Sequence, residues 1–476
     1  MFEIIKIIWI LLCMFGRQVR RVIVGENRYY LNRFPLNIPT VKRHEHTHIL
    51  AGSGHGKTQV LLQLIYKDIL ALKKGYGGFC VIDSQGDLIK TIRWLKELSP
   101  MVKNSLSKRV VIVDPEDVEN PVALNMFDVK LERLNQIRDP ATRETVMTAT
   151  LSLFEYVFSD LIEGGLTLYQ KNIYNFSAQL LMRIPGANIK TFLDLLRDGE
   201  RFRHDFNKLE DGLAKQFFEN EFFSKKYQST KEQIATRLWS ILSHSTFQRI
   251  LCSQSNKIDI YDLMNNGHIV LINTSKALLQ EDRCRMLGRF FIALVLQATY
   301  QRAAIPENKR RNFTLYIDEV QDYLSDTLAD FLSQARKFHI SLVFAHQYLA
   351  QLDNVSKNLK ASVLANTSIK LFGRVENADA DFLSRRIGVD SKEFLNLKKD
   401  KKFTEYLCYV RDFTSKAKKI KFPLGFVNKK QKMTQFEQDE LIKINNIKYC
   451  EDFENRNIGN LNIESHIGAF PEHPSF

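Results

Sequence analysis

THILAGSGHGKTQVLLQL, residues 47 to 64, decides how the rest of the chain is read. β-prone and apolar residues run into three glycines within five positions, then Lys57 and Thr58, then an apolar run of helical character. AGSGHGKT (51 to 58) has the spacing of a P-loop, with Ala51 at the first glycine position. The chemistry accounts for the pattern. Backbone N–H groups over Gly52, Ser53, Gly54, His55 and Gly56 must turn around phosphate oxygens, and glycine permits the positive φ and close approach. The helix that follows adds its N-terminal dipole. Lys57 is expected to neutralise β- and γ-phosphate charge and Thr58 to place a hydroxyl on Mg²⁺, with Gln59 in the binding stretch. ATP and Mg²⁺ are the cofactors this implies.

A P-loop alone does not imply hydrolysis, which also needs a carboxylate for the metal and a group that activates water. FTLYIDEVQDYL (313 to 324) offers both at a strand end: Asp318 to hold Mg²⁺ through water, and Glu319 to orient or deprotonate the attacking water. In SLVFAHQYLAQL (341 to 352), Gln347 lies just past a strand and is read as a γ-phosphate sensor, whereas His346 and Gln351 read as packing or surface residues. Asp83 in VIDSQGDL and Asp114 in VIVDPED read first as polar caps of strand ends and second as metal or water ligands. The strand of Asp83 is expected beside the P-loop strand.

Around these motifs lie further buried-strand signals: GFCVID (78 to 83), RVVIVD (109 to 114), HIVLIN (268 to 273), ISLVFA (340 to 345) and SIKLFG (368 to 373). Their alternation with helical patterns predicts an α/β fold, a RecA-like P-loop NTPase with a parallel-rich sheet and helices on both faces. Residues 127 to 262 lack strand signals and predict an inserted all-helical domain. The core is then 22 to 126 plus 263 to 414, and 415 to 476 forms a basic, polar, loosely ordered tail. Residues 1 to 21 hold a short apolar run followed by Arg17, Arg20 and Arg21, which reads either as an in-plane membrane anchor or as a packed helix. The 476 residues are 44% hydrophobic and 26% charged, ordinary for a folded chain, so disorder is not the default. A net charge of +14 favours a polyanionic partner, and six scattered cysteines without a CxxC pair suit a reducing compartment.

The motif order resembles the HerA/FtsK superfamily of P-loop motors, and within it the TraG-like coupling ATPases of conjugative type IV secretion. The segments that carry the resemblance are AGSGHGKT, VIDSQGDL, VIVDPEDVENPVALNMFD, LYIDEVQDYL, LSQARKFHISLVFAHQYLAQL and LANTSIKLFGRVENADADFLSR, over roughly residues 45 to 412. It departs from the family at Ala51, at Ser84-Gln85 where Pro-His or Pro-Lys is usual, and in its short N-terminal apolar segment. The resemblance implies an ATPase that assembles as a ring, usually a hexamer, and moves DNA, with a secretion channel or membrane as a further partner. It maps the nucleotide site onto Lys57, Thr58, Asp318, Glu319 and Gln347.

A ring needs a cation that reaches the neighbour's nucleotide, and Arg374 is the first candidate with Arg336 the second. DNA would be held without sequence readout by basic clusters: Lys309-Arg310-Arg311, LKKDKKF (397 to 403), SKAKKIKF (415 to 422) and NKKQK (428 to 432), each of which reads alternatively as a solvated face. Competing readings are a secretion ATPase whose helical insertion receives a protein cargo, a viral-type packaging ATPase, and a scaffold that binds nucleotide without turnover. The implied location is the cytoplasm, with residues 1 to 21 as a means of peripheral attachment to the inner face of the membrane.

Overall fold

A computed structural model describes residues 28–30, 37–158, 166–210, 212–275, 281–354 and 358–450. The apolar segment at 1 to 21 and the end of the expected tail, 451 to 476, lie outside the described residues. Strands are numbered in chain order: β1 Arg28–Tyr30, β2 Asn37–Pro39, β3 Thr47–Leu50, β4 Phe79–Asp83, β5 Val110–Val113, β6 Ile269–Asn273, β7 Phe313–Ile317, β8 Ile340–His346, β9 Ile369–Phe372, β10 Phe403–Val410 and β11 Lys418–Pro423. The chain divides into two compact units, Met1–Glu97 with Tyr261–Lys432, and Leu98–Ile260 with Met433–Phe476.

In the first unit the strand order is β11-β10-β9-β3-β8-β7-β4-β6. From β9 to β6 the pairing is parallel, while β10 pairs antiparallel with β9 and with β11. Every residue of β3, β4, β6, β7, β8 and β9 is buried, which is why these segments read as continuous apolar runs rather than alternating ones. The helix Lys57–Lys73 packs Val60, Leu61, Leu64, Ile65, Ile69 and Leu72 inward. At about 1.5–3 kcal/mol per buried aliphatic side chain, this face anchors the helix that starts at the P-loop.

The order corrects one expectation. β4, which ends in Asp83, lies between β7 and β6 and does not neighbour β3. The P-loop strand β3 is instead flanked by β8 and β9, and β8 separates it from β7.

The antiparallel edge is a second departure. SKAKKIKF, read as a basic tail, contains β11, whose residues alternate exposed and buried so that Lys418, Lys419 and Lys421 face solvent. Lysines on an edge strand deter pairing with other chains, and their charge obscures the strand in a composition-based reading.

The second unit is helical apart from β5. Its principal helices are Pro140–Phe158, Leu168–Leu181, Ile189–Arg197, Lys225–Leu242 and Ser245–Leu251. Capping boxes at Thr167–Gln170 and Asn188–Thr191 start two of them. Phe158 stacks on Tyr174 at 4.7 Å, and both rings meet Phe192. The unit begins at Leu98 rather than 127 and includes the helix Gln435–Tyr449, which lies in the segment expected to be a loose tail. That helix is held by its buried Asn445, whose amide accepts from Ile112 N–H (2.8 Å) and donates to Ile112 carbonyl (3.1 Å). Among the described residues no helix is long and apolar enough to cross a membrane.

Candidate nucleotide site

The C-terminal ends of β3, β8 and β7 carry the P-loop, Gln347 and the Asp318-Glu319 pair side by side, at the edge where open α/β sheets take their ligands. Gly54 and Gly56 have φ of 71° and 93°, the left-handed geometry that turns the loop back on itself. Gly56 is the N-cap of Lys57–Lys73, and no side chain caps that helix. Its first-turn N–H groups therefore suit an anion.

Ala51 at the first P-loop position is accommodated from across the sheet. A Cβ added to Gly373 would come within 2.6 Å of the Ala51 methyl and 2.4 Å of the His55 ring. The methyl group missing at 373 is present at 51. The Gly52 N–H donates to the Arg374 carbonyl at 2.9 Å, so the residue after Gly373 also braces the loop.

Both Walker motifs meet at one point. The Thr58 hydroxyl donates to Asp318 Oδ2 at 3.1 Å, and Lys57 Nζ lies 3.8 Å from Glu319 Oε1 while donating to the Ala51 carbonyl at 3.1 Å. Gln347 Nε2 reaches both Glu319 carboxylate oxygens at 3.3 Å, and Gln321 Nε2 donates to Glu319 Oε2 at 2.7 Å. Glu319 is held at φ 50°, an uncommon conformation for a non-glycine residue and one that recurs at functional sites. Asp318 is buried, and its carboxyl is pushed up to about 7 by burial first and then by the charges of Glu319 and Asp83, against the Thr58 hydrogen bond and Lys57. A hydroxyl and a carboxylate this close form a hard oxygen donor set that fits Mg²⁺.

The remaining expected residues separate by role. Gln59 turns its side chain away from the loop, and its Oε1 accepts from Gly425 N–H at 2.9 Å. Gln351 Oε1 accepts from the N–H of Gln347 (2.9 Å) and of Tyr348 (3.2 Å), which braces the backbone at Gln347. His346 is buried; its Nε2 meets His48 Nε2 at 2.6 Å, in keeping with packing. Asp83 accepts from Gln85 and Ile89 N–H and Asp114 from Glu116 N–H, so both act as caps. Arg336 is 59% exposed and pairs with Glu45 at 3.2 Å, at the opposite end of β3 from the P-loop.

The basic clusters are more occupied than their charge suggests. Arg310 donates to Ile305 carbonyl, and Arg311 to the carbonyls of Gly75 and Gly77. Lys430 stands over the Phe426 ring at 4.3 Å, and Lys432 donates to Thr91 carbonyl at 3.3 Å.

Sequence reasoning missed the β10 contribution altogether. The Thr404 hydroxyl donates to His55 carbonyl at 2.7 Å, and His55 Nε2–H donates to Glu405 carbonyl at 3.0 Å. Lys399 donates to the Gly54 carbonyl. Burial lowers the His55 pKa, and the charges of Lys399, Arg374 and Lys57 lower it further. No local signal ties residues 399 to 405 to a loop at 51 to 58.

Such a site on such a sheet defines a P-loop NTPase core. Comparison with known proteins narrows the class. Residues 312–447 match the family described as the TraM recognition site of TraD and TraG. The Type 4 coupling protein DotL of Legionella pneumophila subsp. pneumophila is 22% identical over 396 residues, 72% of this chain and 49% of DotL. The chain thus spans about half the length of that relative. The bacterial conjugative coupling protein TrwB superposes with a TM-score of 0.55 at 17% identity, covering 84% of this chain and 88% of TrwB. TrwB in complex with ADP and Mg²⁺ gives 0.56 at 17%, covering 85% and 89%. VirB4 of Thermoanaerobacter pseudethanolicus gives 0.50 at 13%, covering 82% and 90%. The structural likenesses carry the fold. The family match and DotL agree with the resemblance to TraG-like coupling ATPases that the motif order carries.

Proposed function

We propose that the chain is an ATP-hydrolysing ring motor that moves DNA without reading its sequence, in conjugative transfer or type IV secretion. One observation carries the proposal: the Thr58–Asp318 contact at 3.1 Å and the Lys57–Glu319 approach at 3.8 Å bring the two Walker motifs side by side, the arrangement that shared binding of one triphosphate requires. Lys57 neutralises the β- and γ-phosphates, Thr58 and Asp318 hold Mg²⁺, Glu319 aims water at the γ-phosphorus, and Gln347 senses the terminal phosphate. The likeness to TrwB in complex with ADP and Mg²⁺ supports these cofactors. For the cation lent to a ring neighbour, Arg374 and Arg336 are both exposed: Arg374 follows β9 beside the P-loop, where its carbonyl accepts from Gly52 N–H, and Arg336 pairs with Glu45 at the other end of β3. DNA, a hexameric ring, and a secretion-channel or membrane partner complete the reading, with the chain at the cytoplasmic face of the membrane.

The test is ATP hydrolysis by the full chain with and without single- or double-stranded DNA. DNA stimulates turnover, and Lys57→Ala abolishes it. Turnover that DNA leaves unchanged overturns the motor. The protein-cargo reading draws on the second unit, where Leu168, Leu213 and Trp239 are exposed. Cargo-stimulated, DNA-indifferent hydrolysis supports that reading instead.

A further inference from the structure

The segment LKKDKKF (397 to 403) is a built turn. Asp400 N–H donates to Phe403 carbonyl at 3.0 Å, and Asp400 Oδ1 accepts from the N–H groups of Lys402 (2.6 Å) and Phe403 (2.8 Å). A bridge pairs Lys399 with Thr404. Lys402 carbonyl accepts from Leu424 N–H at 2.8 Å, which ties the turn to the end of β11. From this frame Thr404 and Glu405 bond the backbone and ring of His55, and the exposed Lys399 places its ammonium on the Gly54 carbonyl. Backbone contacts thus fix the turn beside its own P-loop, and the Lys399 ammonium rests on the loop through one side-chain hydrogen bond.

We infer that Lys399 is a second phosphate-contacting residue of the same subunit, which binds the terminal phosphate from the Gly54 side while Lys57 binds from within the loop. The inference rests on the nucleotide reading above. An ammonium bonded to a neutral carbonyl gains when an anionic oxygen comes within reach, because the ion pair adds a Coulomb attraction that the neutral acceptor lacks. The flexible four-carbon stem of lysine allows that exchange without backbone movement. Lys399, Arg374 and Lys57 all act on His55, so three positive charges converge on one loop. Lys399 moves no proton; it stabilises charge that gathers on the transferring phosphoryl group.

The experiment compares wild type, Lys399→Ala and Lys399→Arg as full chains. It measures affinity for a non-hydrolysable ATP analogue and for ADP, both with Mg²⁺, by calorimetric titration. Lys399→Ala should weaken the analogue about tenfold, the worth of one charge-assisted hydrogen bond, and leave ADP within about twofold. Lys399→Arg should recover most of the loss, and the melting temperatures should coincide. Equal losses for both nucleotides, or no loss for the analogue, overturn the inference. If wild type binds neither nucleotide, the nucleotide reading itself fails and takes this inference with it.

Discussion

The parallel centre of the sheet and its antiparallel edge reach the same loop by different means. The centre, β3, β8 and β7, presents Lys57, Gln347, Asp318 and Glu319 on adjacent strand tips, and its strands are buried throughout. The edge is uneven: β11 is rich in lysine and partly exposed, whereas β10 is largely buried and holds no lysine, and it is Thr404 and Glu405 of β10, with Lys399 from the turn before it, that grip the P-loop. The lesson is that the candidate catalytic groups and the groups that shape their loop come from differently paired parts of one sheet, parallel strands for the first and an antiparallel strand for the second. A strand can serve the site without carrying any recognisable motif.

The comparison can be broken in several ways. The largest effect belongs to the centre. Lys57→Ala removes the cation inside the loop and should lower triphosphate affinity and turnover by about a hundredfold or more, with the fold intact by circular dichroism.

A second test concerns the root of β3. His46 is buried, with Nε2–H donating to Leu332 carbonyl (2.9 Å) and Nδ1 accepting from Leu342 N–H (3.0 Å), a fully satisfied neutral ring. Burial lowers its pKa to about 4. The unfolded chain then binds more protons between about pH 4 and 6.5, so the histidine's contribution is complete above 6.5 and is lost as pH falls toward 4. Thermal melts of wild type and His46→Gln should show the wild-type advantage shrinking by about 2 kcal/mol between pH 7.5 and pH 5. An advantage independent of pH would refute the neutral-ring assignment.

The third test joins centre and edge. Gly373→Ala places a methyl group against Ala51 and His55 and should cost about 1–3 kcal/mol of stability and weaken nucleotide binding. Ala51→Gly in the same chain should restore part of both. Failure of that rescue would mean the two positions do not share their space. The smallest effect is at the edge alone. Thr404→Val removes the bond to His55 carbonyl and should cost about 1 kcal/mol, read as a severalfold loss of nucleotide affinity. An unchanged affinity would leave the edge a bystander.

What could be read beforehand follows the same division. Largely apolar runs gave away β3 to β9, because strands buried on both faces favour apolar residues, with few polar exceptions such as His48 and Lys370. The P-loop and the Asp318-Glu319 pair were legible since each occupies a few consecutive positions. β11 was not, because charge on an edge strand resembles charge on a tail, and the part β10 plays was not, because the partners of His55 lie 349 and 350 residues away in sequence. The neighbours of β4 were misplaced because strand order depends on crossovers that local pattern does not encode. The C-terminal helix of the second unit was not legible either, because the two hydrogen bonds of Asn445 to Ile112 join residues far apart in sequence.

The position of β8 between β3 and β7 has a consequence for divergence. Adjacent strands keep a spacing of about 4.8 Å, so the interval from grip to water-activating carboxylate is measured out by two rungs of backbone hydrogen bonds. A ruler made of main chain is indifferent to side-chain identity. Side chains along those strands can change without changing the spacing, and TrwB, 17% identical to this chain, still shares the fold.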